Sequence, residues 1–315
     1  MNWGDKLVIA VAGGKGGVGK SCFVANFGTA LAMFGRQVVL VDADIGAANL
    51  HTIIGVPYPA KTLEDFLQDR VPDLSGALVA TPTPNLRLLS SASDFLAIAS
   101  PDYRERQKLF RGIQKLSTEI IMFDISAGTH QRALDFFSLA PLGILILEPI
   151  PTSIENAFSF LKNLLLRSLL RLFYHDAETK RFIMHAIDPR HEGKILQFDQ
   201  LLTSLEQIEG EKIARFRADF AEDKYKLGIV LNAVRDAQQY AIADKFTRIV
   251  KRYLGINVVT IGTLPYERYM DAAIVQRTPF IVKYPDSGYT QNMRKIAESL
   301  PSIVSGLNLG RSAAL

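Results

Sequence analysis

The sequence predicts an α/β fold with a doubly wound, mostly parallel sheet and flanking helices. Three observations carry that prediction. Short apolar runs at 7–12, 37–41, 119–123, 142–147, 227–231 and 258–264 have the length and composition of buried strands. Longer segments between several of them repeat apolar residues at helical spacing, as crossover connections between parallel strands require. A glycine-rich segment joins the first run to the first helix, at 21–34, and an aspartate follows the runs at 37–41 and 119–123.

The whole chain sets outer limits. Its 315 residues, 48% apolar and 22% charged, suffice for a sizeable core. A net charge of +4 favours anionic partners only weakly. Cys22 is the single cysteine, which excludes disulfides within the chain, Cys-x-x-Cys metal sites and multi-cysteine clusters. Asp5 and Lys6 interrupt the first apolar run, so no signal peptide is expected, and no run approaches the roughly 20 residues of a membrane span. The expected location is the cytoplasm.

The glycine-rich segment, residues 12–21, reads Ala-Gly-Gly-Lys-Gly-Gly-Val-Gly-Lys-Ser. From Gly14 to Ser21 it fits G-x-x-x-x-G-K-S, and its place between strand and helix makes it a phosphate-binding loop. Gly14, Gly16, Gly17 and Gly19 let the backbone around Val18 curl its N–H groups toward phosphate oxygens. The helix start adds unpaired amides and the positive end of its dipole. Lys20 is expected along the β- and γ-phosphates of ATP, and the Ser21 hydroxyl on Mg²⁺. Lys15 lies in a loop whose concave side is already filled, so its ammonium is free to reach elsewhere, toward a phosphate held by a second copy.

Two acidic strand ends follow. Asp42 and Asp44 lie after the run at 37–41, where a carboxylate meets ligands in open α/β sheets. Asp124 closes the run at 119–123 in the Walker B arrangement, in which the carboxylate holds a water on Mg²⁺. Ala127 and Gly128 then form a loop whose Gly128 amide is placed to sense the γ-phosphate.

Gly-Gly-Lys-Gly-Gly-Val-Gly-Lys-Ser resembles the deviant phosphate loop of the MinD/ParA family of P-loop ATPases. The stretch from Asp42 to Leu50, D-x-D-x-G-x-x-N-L, resembles the first switch of its MinD/FlhG-like branch, and 124–128, D-x-x-A-G, the second. The resemblance covers 5–171 and 224–300. It implies an eight-strand sheet, ATP or ADP with Mg²⁺ as ligands, and a homodimer closed around ATP in which Lys15 crosses the interface. It gives Asp44 the attacking water to orient or deprotonate, and Asp42 a part in the magnesium and phosphate shell. Asn232 is implied to bond adenine, with Pro265 and Tyr266 lining the adenine pocket. Three positions depart from the family: Cys22 where an α-phosphate-binding Thr or Ser is usual, Ser126 for Pro, and Ile150 where a Glu meets the partner's ribose. Glu148 is a candidate to replace that Glu.

The remaining elements are read locally. A helix at 63–68 and a strand at 86–89 are expected, then a helix at 101–116 with Ser100 as N-cap and a solvated basic face. Ser153 is the expected N-cap of a helix at 154–173, whose thin basic face suits a sheet-covering helix and, alternatively, a membrane-surface one. The insertion at about 174–223 has helical spacing at Leu201, Leu202, Leu205 and Ile208 and again at Ile213, Phe216 and Phe220, and suits a partner-docking hairpin as well as an ornament on the sheet edge. His175, His185 and His191 show no ligand spacing. A helix at 236–254 carries Lys245, Arg248, Lys251 and Arg252, and helices at 270–277 and 287–300 follow. After Pro301 only Arg311 is basic, unlike the Lys- and Phe-rich tail by which MinD holds membrane.

The expectation is one domain over 1–315: a slow ATPase that acts as a switch, in the manner of MinD/FlhG-like regulators of division-site or flagellar placement. A protein partner or activator is expected, with peripheral membrane contact open and DNA less favoured. The alternatives are a ParA-type DNA-associated ATPase and a biosynthetic or metallocentre-loading ATPase of the same superfamily.

Overall fold

The computed structural model describes residues 6–44, 48–91, 103–186, 198–221 and 226–305. Eight strands form one sheet: β1 (Leu7–Gly13), β2 (Val38–Ala43), β3 (Val79–Ala80), β4 (Leu86–Leu89), β5 (Ile120–Ile125), β6 (Leu142–Leu147), β7 (Lys226–Val234) and β8 (Val259–Pro265). Their order is β3-β4-β2-β5-β1-β6-β7-β8, and every pairing is parallel except β3 with β4. The chain builds outward from β1 toward β2 and β4, then returns to build β6, β7 and β8 on the other side. The order therefore switches at β1, and the crevice beyond its carboxyl end is where such sheets bind ligands.

Alternation along β1 feeds two apolar layers. Val8, Ala10 and Ala12 join one cluster, and Leu7, Ile9 and Val11 the other. Helices α1 (Lys20–Met33), α2 (Leu50–Ile53), α10 (Met270–Val275), α11 (Phe280–Lys283) and α12 (Gly288–Val304) lie on the second layer. On the first lie α3 (Leu63–Leu67), α4 (Tyr103–Lys115), α5 (Gln131–Phe137), α6 (Pro151–Leu172), α7 (Ala177–Ala186), α8 (Phe198–Ala221) and α9 (Ala241–Leu254). Long α6 buries Phe160, Leu161, Leu164, Leu165 and Leu169, so it covers the sheet. Among the described residues no helix is long and apolar enough to cross a membrane.

Several expectations need correction. Ser153 does not cap α6: the helix begins at Pro151, whose fixed φ suits the first position, and the buried Ser153 Oγ accepts the Glu148 N–H at 2.9 Å instead. Helix α12 does not stop at 300 but runs through Pro301 to Val304. The apolar segments at 201–208 and 213–220 are instead as expected, the two legs of a helical hairpin within α8. It folds at Glu209, where φ is −136° and ψ 53°, so that Arg217 returns to Asp199 and the Phe216 ring lies 6.1 Å from that of Phe198. Ile208 lies on its wet side, 64% exposed, while Leu201, Leu202, Leu205, Ile213 and Phe216 enter the same core as α6. Ser100, Pro101 and His191 lie outside the described residues.

Candidate functional site

Residues 14–19 connect β1 to α1 as a loop with positive φ at Gly17 and Gly19, both 84°. Gly19 is the N-cap of α1 and no side chain caps that helix, so its first-turn amides are open to an anion. A Cβ on Gly16 or Gly17 would meet nothing within 4 Å, which leaves room beside the loop for a ligand. Gly14 is different, because a Cβ there would come within 2.3 Å of the Asn156 backbone in α6. Gly14→Ala is therefore expected to destabilise the fold by roughly 1–3 kcal/mol. Denaturant melts should show that loss in Gly14→Ala and little in Gly16→Ala; equal effects would contradict the packing argument.

Lys20 opens α1 and is only 7% exposed. Its Nζ donates to Asp124 Oδ1 at 2.5 Å and lies 3.2 Å from Ser21 Oγ. Asp42 and Asp124 are register partners at the ends of β2 and β5, and both are buried. Asp42 Oδ1 accepts the Asp44 N–H and Oδ2 the Leu50 N–H, each at 3.1 Å, which ties the first switch to the sheet. Burial, and then the neighbouring Asp124, push the Asp42 carboxyl up to about 7. Burial also raises Asp124, against the opposing pull of Lys20. Asp44 is half-buried and near enough for its charge to act on Asp124.

Two buried carboxylates facing one ammonium make a site short of positive charge. Its hard oxygen donors, from Ser21, Asp42 and Asp124, are the kind Mg²⁺ takes. Asp42 also gives a pH prediction. Its folded pKa lies above the ordinary carboxylate value, so its contribution to stability is full below about 4 and is lost as pH rises through about 7. At about 1.4 kcal/mol per unit, the loss is roughly 4 kcal/mol. Melts in chelator without nucleotide, at pH 5 and pH 8, should show about 2.6 kcal/mol of this loss in wild type and none of it in Asp42→Asn. Parallel pH slopes in the two proteins would count against it.

Lys15 is half-buried, its Nζ 3.4 Å from Thr152 Oγ1 and 3.8 Å from Glu148 Oε2. In the single chain it turns back on its own 148–152 segment, and Ile150 there is exposed. Gly128 has φ +92° and its N–H donates to Gly13 O at 3.1 Å, so that amide points at the end of β1. His130 accepts the Ala133 N–H on Nδ1, capping α5, so Nε2 carries the proton it donates to Ser126 Oγ at 2.8 Å. The switch residues at 45–47 lie outside the described residues.

At the far end of the crevice, Asn232 Nδ2 donates to the Val18 carbonyl at 2.9 Å, bracing the loop from β7. Pro265 ends β8, and the Tyr266 N–H donates to Val234 O at 2.8 Å. The Tyr266 ring is 47% exposed, with the Arg235 guanidinium stacked 3.6 Å from its centroid. Cys22 is half-buried in α1, its thiol pushed up to about 11 by burial and then by Asp124. It stays protonated at neutral pH, a weak donor.

The structure thus gathers the glycine loop, Lys20, Ser21, Asp42, Asp44, Asp124 and Gly128 at the carboxyl ends of β1, β2 and β5. Asn232, Pro265 and Tyr266 stand at the ends of β7 and β8. Sequence reading missed Arg235, the His130–Ser126 pair, and Asn26, which is wholly buried and bridges Cys22 O to the Ile281 N–H. A buried Asn on an otherwise apolar helix face was the one signal available for Asn26.

A loop of this kind at the switch point of a parallel sheet defines a P-loop nucleotide-binding protein. The chain belongs to the CobQ/CobB/MinD/ParA nucleotide binding domain family, whose profile matches residues 9–279. It is 25% identical to the antiactivator FleN of Pseudomonas aeruginosa over 94% of this chain and 86% of that protein. An uncharacterized ATP-binding protein of Methanocaldococcus jannaschii is 34% identical over 93% and 87% of the two chains. The septum site-determining protein MinD of Pyrococcus horikoshii, solved with Mg-ADP, shares the fold with a TM-score of 0.61 at 19% identity, covering 98% of this chain and all of that one.

Proposed function

We propose that this protein is an ATP-driven switch, a single ATPase domain that closes as a homodimer around ATP and Mg²⁺, hydrolyses slowly and then separates. The observation that carries the proposal is the buried Lys20–Asp124 pair with Asp42 beside it, under a loop of open amides. Lys20 exchanges Asp124 for the β- and γ-phosphates, which leaves Asp42, Asp124 and Ser21 to hold the metal. Mg²⁺ when bound neutralises phosphate charge. Asp44 aligns the attacking water, and Asn232, Pro265 and Tyr266 bound the adenine. Lys15 leaves Thr152 and Glu148 and reaches the partner's phosphates. Rate acceleration in such a site is mostly positioning and charge stabilisation.

The reading extends to a cytoplasmic regulator of the MinD/FlhG kind, acting through a protein partner or activator on division-site or flagellar placement, with peripheral membrane contact as one mode. Relatives named for antiactivation and for septum and flagellum site determination support that direction. Light scattering tests the switch: wild type with ATP and Mg²⁺ should double in mass, and with ADP should remain one chain. One chain under both conditions would contradict it.

A second reading has its own observation. Lys245, Arg248, Lys251 and Arg252 all stand exposed on α9, a face that suits DNA. DNA binding in ATP that weakens steeply with salt would favour this reading, and a flat salt response would count against it.

A further inference from the structure

A second concavity lies away from the nucleotide crevice. It is a groove of about 1090 Å³ between α5, α6 and α7. Leu134, Leu166, Leu170 and Met184 supply an apolar floor, and Met184 is more than half exposed. Arg167, Arg171, Lys180 and Arg181 also line it, with no carboxylate among the lining residues. Arg167 and Arg171 both pair with the buried Asp135, which fixes them along one wall. Lys180 lies over the Tyr174 ring and Arg181 Nε donates to Ala177 O; among the described residues neither forms an ion pair.

We propose that this groove docks an acidic amphipathic helix of a protein partner. Apolar side chains of that helix lie on the leucine and methionine floor, and its carboxylates meet the four cations. A lipid surface is matched by a convex apolar face, not by a hollow. Single-stranded nucleic acid needs a row of aromatic platforms, and Tyr174 is the one aromatic residue in the lining. The position gives the docking a purpose, because the lining residue Thr129 follows Gly128 directly and Gln131 opens α5 two residues later. The insertion, through α7, thus forms one wall of an interaction surface.

The test uses the full chain without nucleotide, so its outcome is independent of the ATP reading. The probe is a fluorescein-labelled 18-residue peptide with Leu at helical i, i+3, i+4, i+7 spacing and Glu elsewhere. Anisotropy should show binding on the order of 10 µM, and hydrogen exchange should slow across 163–184. The Lys180→Glu/Arg181→Glu double variant and Met184→Glu should each weaken binding at least about tenfold, with circular dichroism unchanged. The same peptide with Lys in place of Glu should not bind. No binding of the acidic peptide, or equal binding by wild type and both variants, would overturn the proposal. So would binding of phosphatidylglycerol vesicles or single-stranded RNA that the double variant loses while keeping the peptide.

Discussion

Lys20→Ala should lose nucleotide affinity by at least about 100-fold, or about 2.7 kcal/mol. Lys20 is the buried cation of the loop, and its ammonium is held in place by Asp124 and Ser21. No other lysine or arginine is in contact with that carboxylate among the described residues. The substitution has a second consequence, because it leaves Asp124 buried without its partner. Breaking such a pair costs about 3–5 kcal/mol. The two effects are separable. Lys20→Ala/Asp124→Asn should recover stability in denaturant melts while nucleotide uptake stays lost. Recovery of both would mean that Lys20 serves the fold and not the ligand.

Asp44→Ala is expected to slow ATP hydrolysis by about 100-fold or more, the scale of a positioned proton acceptor. ATP should still bind, because the loop, Lys20 and Asp124 are untouched. The nucleotide-bound pair should therefore accumulate. Lys15→Ala predicts the opposite: nucleotide binds, and the protein stays a single chain in ATP. In wild type Lys15 sits against Thr152 and Glu148 at 3.4 and 3.8 Å, contacts long enough to exchange for a phosphate at small cost. Light scattering and phosphate release on the three proteins separate these behaviours. Equal behaviour of all three would refute the roles given to Lys15 and Asp44.

Legibility followed range along the chain. Six of the apolar runs are strands within a few residues, because burial on both faces demands unbroken apolar sequence, and the short strand at Leu86–Leu89 was read as well. The two-residue β3 left no such trace, being an edge strand exposed at Ala80. Local competition explains the misplaced start of α6, where Pro151 outranks Ser153 as a start signal, and α12 passes Pro301 because its apolar face continues to the buried Val304. At the site, spacing alone picked out the glycine loop, Asp42, Asp44 and Asp124. Side-chain contacts between distant segments were invisible to it. The Lys20–Asp124 pair spans 104 positions and the Asn232–Val18 bond 214. Arg235 on Tyr266 and Gly128 on Gly13 belong to the same class: no local pattern encodes a contact set by the order of strands in the sheet.

Titration calorimetry of the wild-type chain with ADP in magnesium, repeated in chelator, bears most directly on the nucleotide site. One binding event per chain should appear, with affinity in the micromolar range or tighter, falling at least about tenfold when the metal is withdrawn. Absence of heat with magnesium present, in protein that melts cooperatively, would contradict the assignment of the crevice at β1 to a nucleotide.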